Sequence, residues 1–296
     1  MRAKKILLAL LLVVMSSAPS FAKEYDDPIE QLFENIYAAW NEHDIDKLFS
    51  YYSNNFVTSD GIDKTGYREL TEKLWDNYPD IQLKNQKRTL RSQDQYATIS
   101  VIDLFYGTSK EENEQIKKKG ELNAISQGQI FLKKYGQNWK IESDKIHFEL
   151  VTVYYGNAKE YLDNHQIYFG APEQVKAAEQ YTASLYFILP ENVQATATIN
   201  HEIINNPPKE DIEESFQSAS ETKLERLFAA NSLNRNELVS ATIVLSKGII
   251  EPKLEGLLYI SKRVNVLAQA QEVKADNIAT NAFGEEPAEE EDKAKE

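Results

Sequence analysis

The sequence has no cysteine. That excludes disulfides, thiol nucleophiles, thiolate zinc sites, cysteine-ligated iron–sulfur clusters and lipid attachment through a cysteine. Basic residues are also scarce: 33 Lys and Arg face 47 Asp and Glu, a formal net charge of −14. Such a balance supplies no obvious basic face for a phosphate backbone or an anionic bilayer, so nucleic acid is not expected as a partner. Only four histidines occur, His43, His147, His165 and His201, and none stands at metal-ligand spacing from another. His201-Glu202 begins like a zinc-protease helix but lacks the second histidine and lies in a strand pattern. Neither a glycine-rich phosphate loop nor a Gly-x-Ser-x-Gly nucleophile elbow is present, so no metal and no cofactor are expected. With 42% hydrophobic and 27% charged residues the body reads as an ordinary globular protein, and 296 residues suggest about two domains.

The two ends read as non-structural. Residues 1–22 combine a basic start (Arg2, Lys4, Lys5), an apolar run from Ile6 to Met15, and the small residues Ser20 and Ala22 ahead of Lys23. This is the pattern of a secretory signal peptide, its apolar run too short for a spanning helix of roughly 20 residues. Cleavage near Ala22 is expected, giving a periplasmic or secreted protein with no integral membrane segment. At the other end, residues 270–296 hold only Val273, Ile278 and Phe283 as large apolar residues and finish in a glutamate-rich run. A segment of that composition cannot bury enough area to offset its ordering entropy, so a disordered acidic tail is expected.

Residues 23–160 read as one α+β domain. Asp27-Pro28-Ile29-Glu30 joins an N-cap acid, a proline at the first helical position and a glutamate three residues after the cap. Ile29, Leu32, Phe33, Ile36, Tyr37 and Trp40 then repeat on one helical face. A shorter helix carries Ile45, Leu48, Phe49 and Tyr52, and a third runs from near Thr65 through Tyr67, Leu70, Leu74, Trp75 and Tyr78 to Pro79. A short strand is expected at 56–59. From Ile81 the period becomes two, predicting long antiparallel strands near 82–92, 96–108, 122–134 and 139–152. Helices followed by strands imply a curved antiparallel sheet packed on three helices, leaving a cone-shaped interior.

Asn35-Ile36-Tyr37-Ala38-Ala39-Trp40, His43-Asp44-Ile45-Asp46-Lys47-Leu48, Phe56-Val57-Thr58-Ser59-Asp60-Gly61, the Tyr67-to-Trp75 helix and the closing Gly136-Gln137-Asn138-Trp139-Lys140-Ile141-Glu142-Ser143-Asp144 together resemble the nuclear transport factor 2-like superfamily, which includes the SnoaL-like proteins. The resemblance covers about 125 residues. It implies a pocket and often a homodimer. Members range from isomerases, cyclases and dehydratases to modules that only bind, so it implies no particular reaction.

On the strand Ala97-to-Phe105, alternation places Ile99, Val101, Asp103 and Phe105 on one face. If that face is the inner one, burial raises the Asp103 pKa and makes it a usable general base or acid. On the last strand His147 shares a face with Glu149 and Val151 and is the candidate proton-transfer partner, provided both groups point inward. The resemblance implies that acids, tyrosines and histidines of this kind line the cone. The bland alternative has Asp103 paired to a neighbouring strand and His147 on a solvated or dimer-forming face. Tyr37, Trp40, Tyr52, Trp75, Tyr78, Val101 and Phe105 are the candidate pocket lining, and all but the last two also sit at helical spacing suited to a core.

Residues 165–268 read as a second small α+β domain of helix-hairpin units. A helix is expected from Ala171 to Gln180, strands at 181–189 and 193–204, a helix from about Lys209 to Ala230, and strands near 238–246 and 254–266. All three tryptophans, Trp40, Trp75 and Trp139, fall in the first domain, so the second reads as an accessory or interaction module. These observations place first an exported, non-catalytic binding or interaction protein, with a pocket for a small apolar ligand or a dimer scaffold, and with a protein partner for the second domain. An isomerase, dehydratase or cyclase without a cofactor, using Asp103 and His147, and a scaffold with a filled core stay open as alternatives.

Overall fold

A computed structural model describes residues 28–162, 167–204, 217–218, 223–248 and 250–268. The expected signal peptide, the acidic tail, His165 and the first part of the Lys209-to-Ala230 helix lie outside the described residues. The described residues form two compact units, the first drawn from Met1–Glu111 and Leu122–Ile146, the second from Glu112–Glu121 and His147–Glu296. The boundary expected after residue 160 falls within the second unit. Among the described residues no helix is long and apolar enough to cross a membrane.

In the first unit α1 (Pro28–Asn41) buries Ile29, Leu32, Phe33, Ile36, Ala39 and Trp40, the stripe its sequence spacing requires. Its chain reverses at His43, whose φ of 55° is left-handed, and Asp44 then caps α2 (Ile45–Ser50) by accepting from the Lys47 amide at 3.0 Å. After β1 (Tyr52–Thr58), Asp63 caps α3 (Lys64–Asn77) by accepting from the Gly66 amide at 2.8 Å. Four long strands follow: β2 (Gln82–Gln93), β3 (Tyr96–Glu112), β4 (Lys119–Tyr135) and β5 (Asn138–Gly156). They lie in the order β2-β3-β4-β5, and β1 adds to β5 in parallel, Val57 opposite Ser143 and Thr58 opposite Asp144. Helices and strands thus occupy the stretches their periodicity predicted, with β1 starting earlier and the strands running longer.

The second unit departs from expectation. It holds one short described helix, α4 (Ala158–Tyr161), and two sheets. One sheet orders β9 (Val193–Ile203), β12 (Glu237–Lys247), β13 (Lys253–Leu267) and the end of β5, with β10 (Gln217–Ser218) beside β9. The other orders β11 (Lys223–Ala229), β8 (Gln180–Phe187) and β6 (Ile167–Gly170). Their inner faces meet in one core, with Ala183, Leu185 and Phe187 of β8 and Phe228 of β11 against Ala197, Ile199, Val239, Ile243, Leu245 and Leu258. The unit is therefore a two-layered β structure, and the helix-hairpin description is corrected.

Two local readings fail for physical reasons. Ala171–Gln180 is rich in helix formers, yet Val175 belongs to β7 (Gln174–Lys176), which pairs in parallel with β13. Ala178 then takes a φ of 61°, which no α-helix tolerates. Strand pairing outweighs propensities worth only tenths of a kcal/mol per residue. At 223–229 a strand stands where the end of a helix was expected. Leu224 and Phe228 are four apart and share a face in either a helix or a strand, whereas Leu227, at 62% exposure, does not join the inner face. The strands at 180–187 and 193–203 do form, but they enter different sheets and make no hairpin.

Candidate functional site

The inner layer of the first unit is built where α1 crosses β2 and β3. Ile99, Val101 and Asp103 are buried and Phe105 is half-buried, so the Ile99 face of β3 is the one turned to the helix. One turn of α1 delivers Tyr37 and Trp40 onto this face. The Tyr37 hydroxyl donates to Asp103 Oδ1 at 3.0 Å, and the Trp40 ring meets Phe105 edge-on at 5.7 Å. Asn85 Nδ2 donates to the same Oδ1 at 2.8 Å. A bulge makes this second bond: the β2–β3 register shifts between Asn85 and Lys87, leaving Asn85 opposite Asp103.

Burial raises the Asp103 pKa above the usual carboxylate value, with the bonds from Asn85 and Tyr37 and the charge of Arg88 opposing the rise. The Tyr37 hydroxyl is pushed far above its ordinary value, by burial first and then by the Asp103 charge. Arg88 supplies the nearby cation. Its guanidinium pairs with Glu30 and Glu34, one turn apart on α1, and lies 5.4 Å from the Phe33 ring centre and 5.7 Å from that of Tyr37.

A second aromatic group adjoins the first. Trp40 meets Trp75 of α3 edge-to-face at 5.5 Å, and His43 stacks on Trp75 at 4.7 Å with rings 12° from parallel. His43 Nε2 lies 3.1 Å from the Ile81 carbonyl; a carbonyl only accepts, so this nitrogen carries a proton. Tyr52 packs with Phe49, Phe56 and Tyr67. Its hydroxyl bonds to Tyr67 and feels the charges of Asp144 and Asp103, and burial is the main cause of its raised pKa.

Trp40 and Trp75 are each only 8% exposed, and their indole Nε1 atoms have no hydrogen-bond partner. An unsatisfied buried donor costs about 1–3 kcal/mol. The two donors sit in rings that touch each other, and the Trp40 ring adjoins the Asp103–Tyr37 pair through Phe105.

The structure thus brings together Tyr37, Trp40, Trp75, Val101, Asp103 and Phe105, with Tyr52 close enough to feel the Asp103 charge. Tyr78 is half-buried at the C-cap of α3. His147 is half-buried and belongs to the second unit, where its carbonyl accepts from Asn265 Nδ2 at 2.8 Å. The hydrogen bonds to the Asp103 carboxylate come instead from Tyr37 and Asn85. Asn85, Arg88, His43 and Tyr67 were not read from the sequence as parts of this site. Glu30 and Glu34 on one helical face were a visible counterpart for Arg88, but the bulge that aims Asn85 had no sequence signal. No group of three or more metal-ligating side chains occurs among the described residues.

Helices over an antiparallel sheet with a buried carboxylate and aromatic lining define the first unit as an α+β module with a polar point in an apolar interior. No family model and no curated protein matches the chain. Similarity to solved structures extends over 40% of it, to Bd1075 of Bdellovibrio bacteriovorus at 15% identity and TM-score 0.33, covering 38% of that chain. A candidate scytalone dehydratase of Novosphingobium aromaticivorans is 13% identical over 80% of its length, with TM-score 0.34. A candidate dehydratase of the nuclear transport factor 2-like family from Streptomyces avermitilis is 9% identical over 90% of its length, with TM-score 0.32. At these TM-scores the likeness assigns this chain no family, activity or substrate.

Proposed function

We propose that this protein is an exported, non-catalytic binding protein whose first unit, a nuclear transport factor 2-like cone, takes a small, mostly apolar molecule carrying a hydrogen-bond acceptor. The two buried indole donors without a protein acceptor carry this reading. An acceptor oxygen on the ligand would satisfy at least one of them, while the rings of Trp40, Trp75 and Phe105 supply apolar contact. The signal-like residues 1–22 support export. An exposed face on the three-stranded sheet, bearing Tyr168, Tyr186 and Leu227, supports a protein contact for the second unit. Homodimerisation through the first unit belongs to the same reading.

The test uses the indole N–H resonances of the three tryptophans. Protein as purified is compared with the same protein unfolded, stripped of small molecules and refolded. Two of the three signals, Trp40 and Trp75, are expected to differ, and to return when the extracted fraction is added back. Three unchanged signals would overturn the reading.

One observation favours a second reading, a cofactor-independent isomerase, dehydratase or cyclase. Asp103 is a buried carboxylate of raised pKa in direct contact with a tyrosine hydroxyl, a pairing suited to proton transfer on a bound substrate. In that case Asp103→Asn abolishes turnover in assays on small apolar ketones and hydroxy compounds and leaves binding intact.

A further inference from the structure

A groove of about 440 Å³ in the first unit is lined by Ser53, Asn54, Asn55, Lys64, Tyr135 and Lys140, among others. It has the size of a small-molecule site, and its chemistry differs from that of the aromatic interior. Lys64 opens α3 and donates to the Tyr52 carbonyl at 2.8 Å. Lys140, on β5, donates to the Ser50 carbonyl.

Each ammonium has three protons, and one carbonyl takes one of them. Among the described residues neither lysine has a carboxylate within ion-pair distance. Arg68 nearby is already held by Asp46 and Glu72. Of the acids near the groove, Glu142 accepts the Tyr135 hydroxyl at 2.5 Å, and Asp144 acts on Tyr52; neither lies within ion-pair distance of Lys64 or Lys140. Burial lowers the Lys64 pKa, and the charges of Lys140 and Arg68 lower it further, as expected where like charges gather without a counter-ion. The overall excess of acid does not cancel such a site, because charges beyond a screening length of about 8 Å contribute little at physiological salt.

We propose that this groove binds the oxyanion of a small hydroxylated molecule, a sugar acid or sugar phosphate, with Lys64 and Lys140 holding the carboxylate or phosphate. The exposed amide of Asn54 takes a ligand hydroxyl, Ser53 and the Asn55 side chain brace the groove by bonding the Asn55 backbone amide and the Tyr135 hydroxyl respectively, and the Tyr135 ring, 40% exposed, offers a stacking surface. Tyr52 lines the groove as well as packing in the aromatic group, but the two lysines act apart from Trp40 and Trp75, so the proposal stands whether or not the aromatic interior binds anything.

Calorimetric titration of the exported chain with glucuronate, glucose 6-phosphate and neutral methyl glucoside tests it. At least one of the two anions binds, and methyl glucoside binds at least about tenfold more weakly. Response to one anion alone identifies whether a carboxylate or a phosphate is the natural group. Lys64→Gln and Lys140→Gln each weaken anion binding about tenfold or more, whereas Lys110→Gln does not, since Lys110 pairs with Asp76 at the opposite end of α3 from Lys64. Failure of both anions to bind, equal binding of the neutral sugar, or undiminished binding by the Lys64→Gln/Lys140→Gln double variant overturns the proposal. Should a variant fail to fold, the lysine ε-CH2 signals of the unaltered protein decide: anion titration must move those of Lys64 and Lys140, and movement confined to other lysines overturns the assignment.

Discussion

Asp103 is a tightly held carboxylate, at 9% exposure, with two donors on one oxygen and the nearby Arg88 tied to Glu30 and Glu34. Its folded pKa lies above its unfolded one, so the folded state holds the proton more tightly. The stability this contributes is complete below the ordinary carboxylate value of about 3.9 and is lost as pH rises through the folded pKa. Urea denaturation of the protein and of Asp103→Asn across that range checks this. The Asn variant should lose less stability than the parent as pH rises through it, and parallel curves would contradict the pKa shift. The phase of β3 made Asp103, Val101 and Phe105 readable as one face, and the helical spacing of Tyr37 and Trp40 made them readable as their cover. Asn85 was hidden because a bulge changes register without changing composition.

Elements were most readable where one periodicity had no competitor. Pro28–Asn41 buries a stripe only a helix can make, and β2 to β5 run for 12 to 19 residues, β3 alternating in burial from Tyr96 to Asp103. Lys223–Ala229 offered two apolar anchors that fit both periods, and Gln174–Lys176 follows its pairing with β13 rather than its helix formers. Close packing of the strands gives two expectations. A Cβ at Gly128 would lie 2.6 Å from the Lys145 carbonyl oxygen, so Gly128→Ala should destabilise by about 1–3 kcal/mol through overpacking, read as a lower urea midpoint. Leu185 is fully buried between the two sheets of the second unit, and Leu185→Ala should cost about 2–5 kcal/mol. A loss under 1 kcal/mol in calorimetry would mean that the sheets do not pack as described.

At the scale of the whole molecule the sequence showed two modules and the α+β build of the first, but not the two-layered β build of the second. Strand composition in residues 180–203 cannot say which sheet each strand enters, since that depends on partners more than thirty residues away, β11 for β8 and β12 for β9. The export reading predicts that protein recovered from outside the cytoplasm begins at Lys23. N-terminal sequencing checks it, and an intact Met1 on that material would oppose it. The central claim, that the first unit holds a small molecule in its aromatic interior, is tested most directly by native mass spectrometry of residues 23–296 purified from their exported form. The account predicts an added small-molecule mass that is lost on denaturation and falls in occupancy in a Trp40→Phe/Trp75→Phe variant; a clean apo mass, or an adduct held equally by that variant, would contradict it.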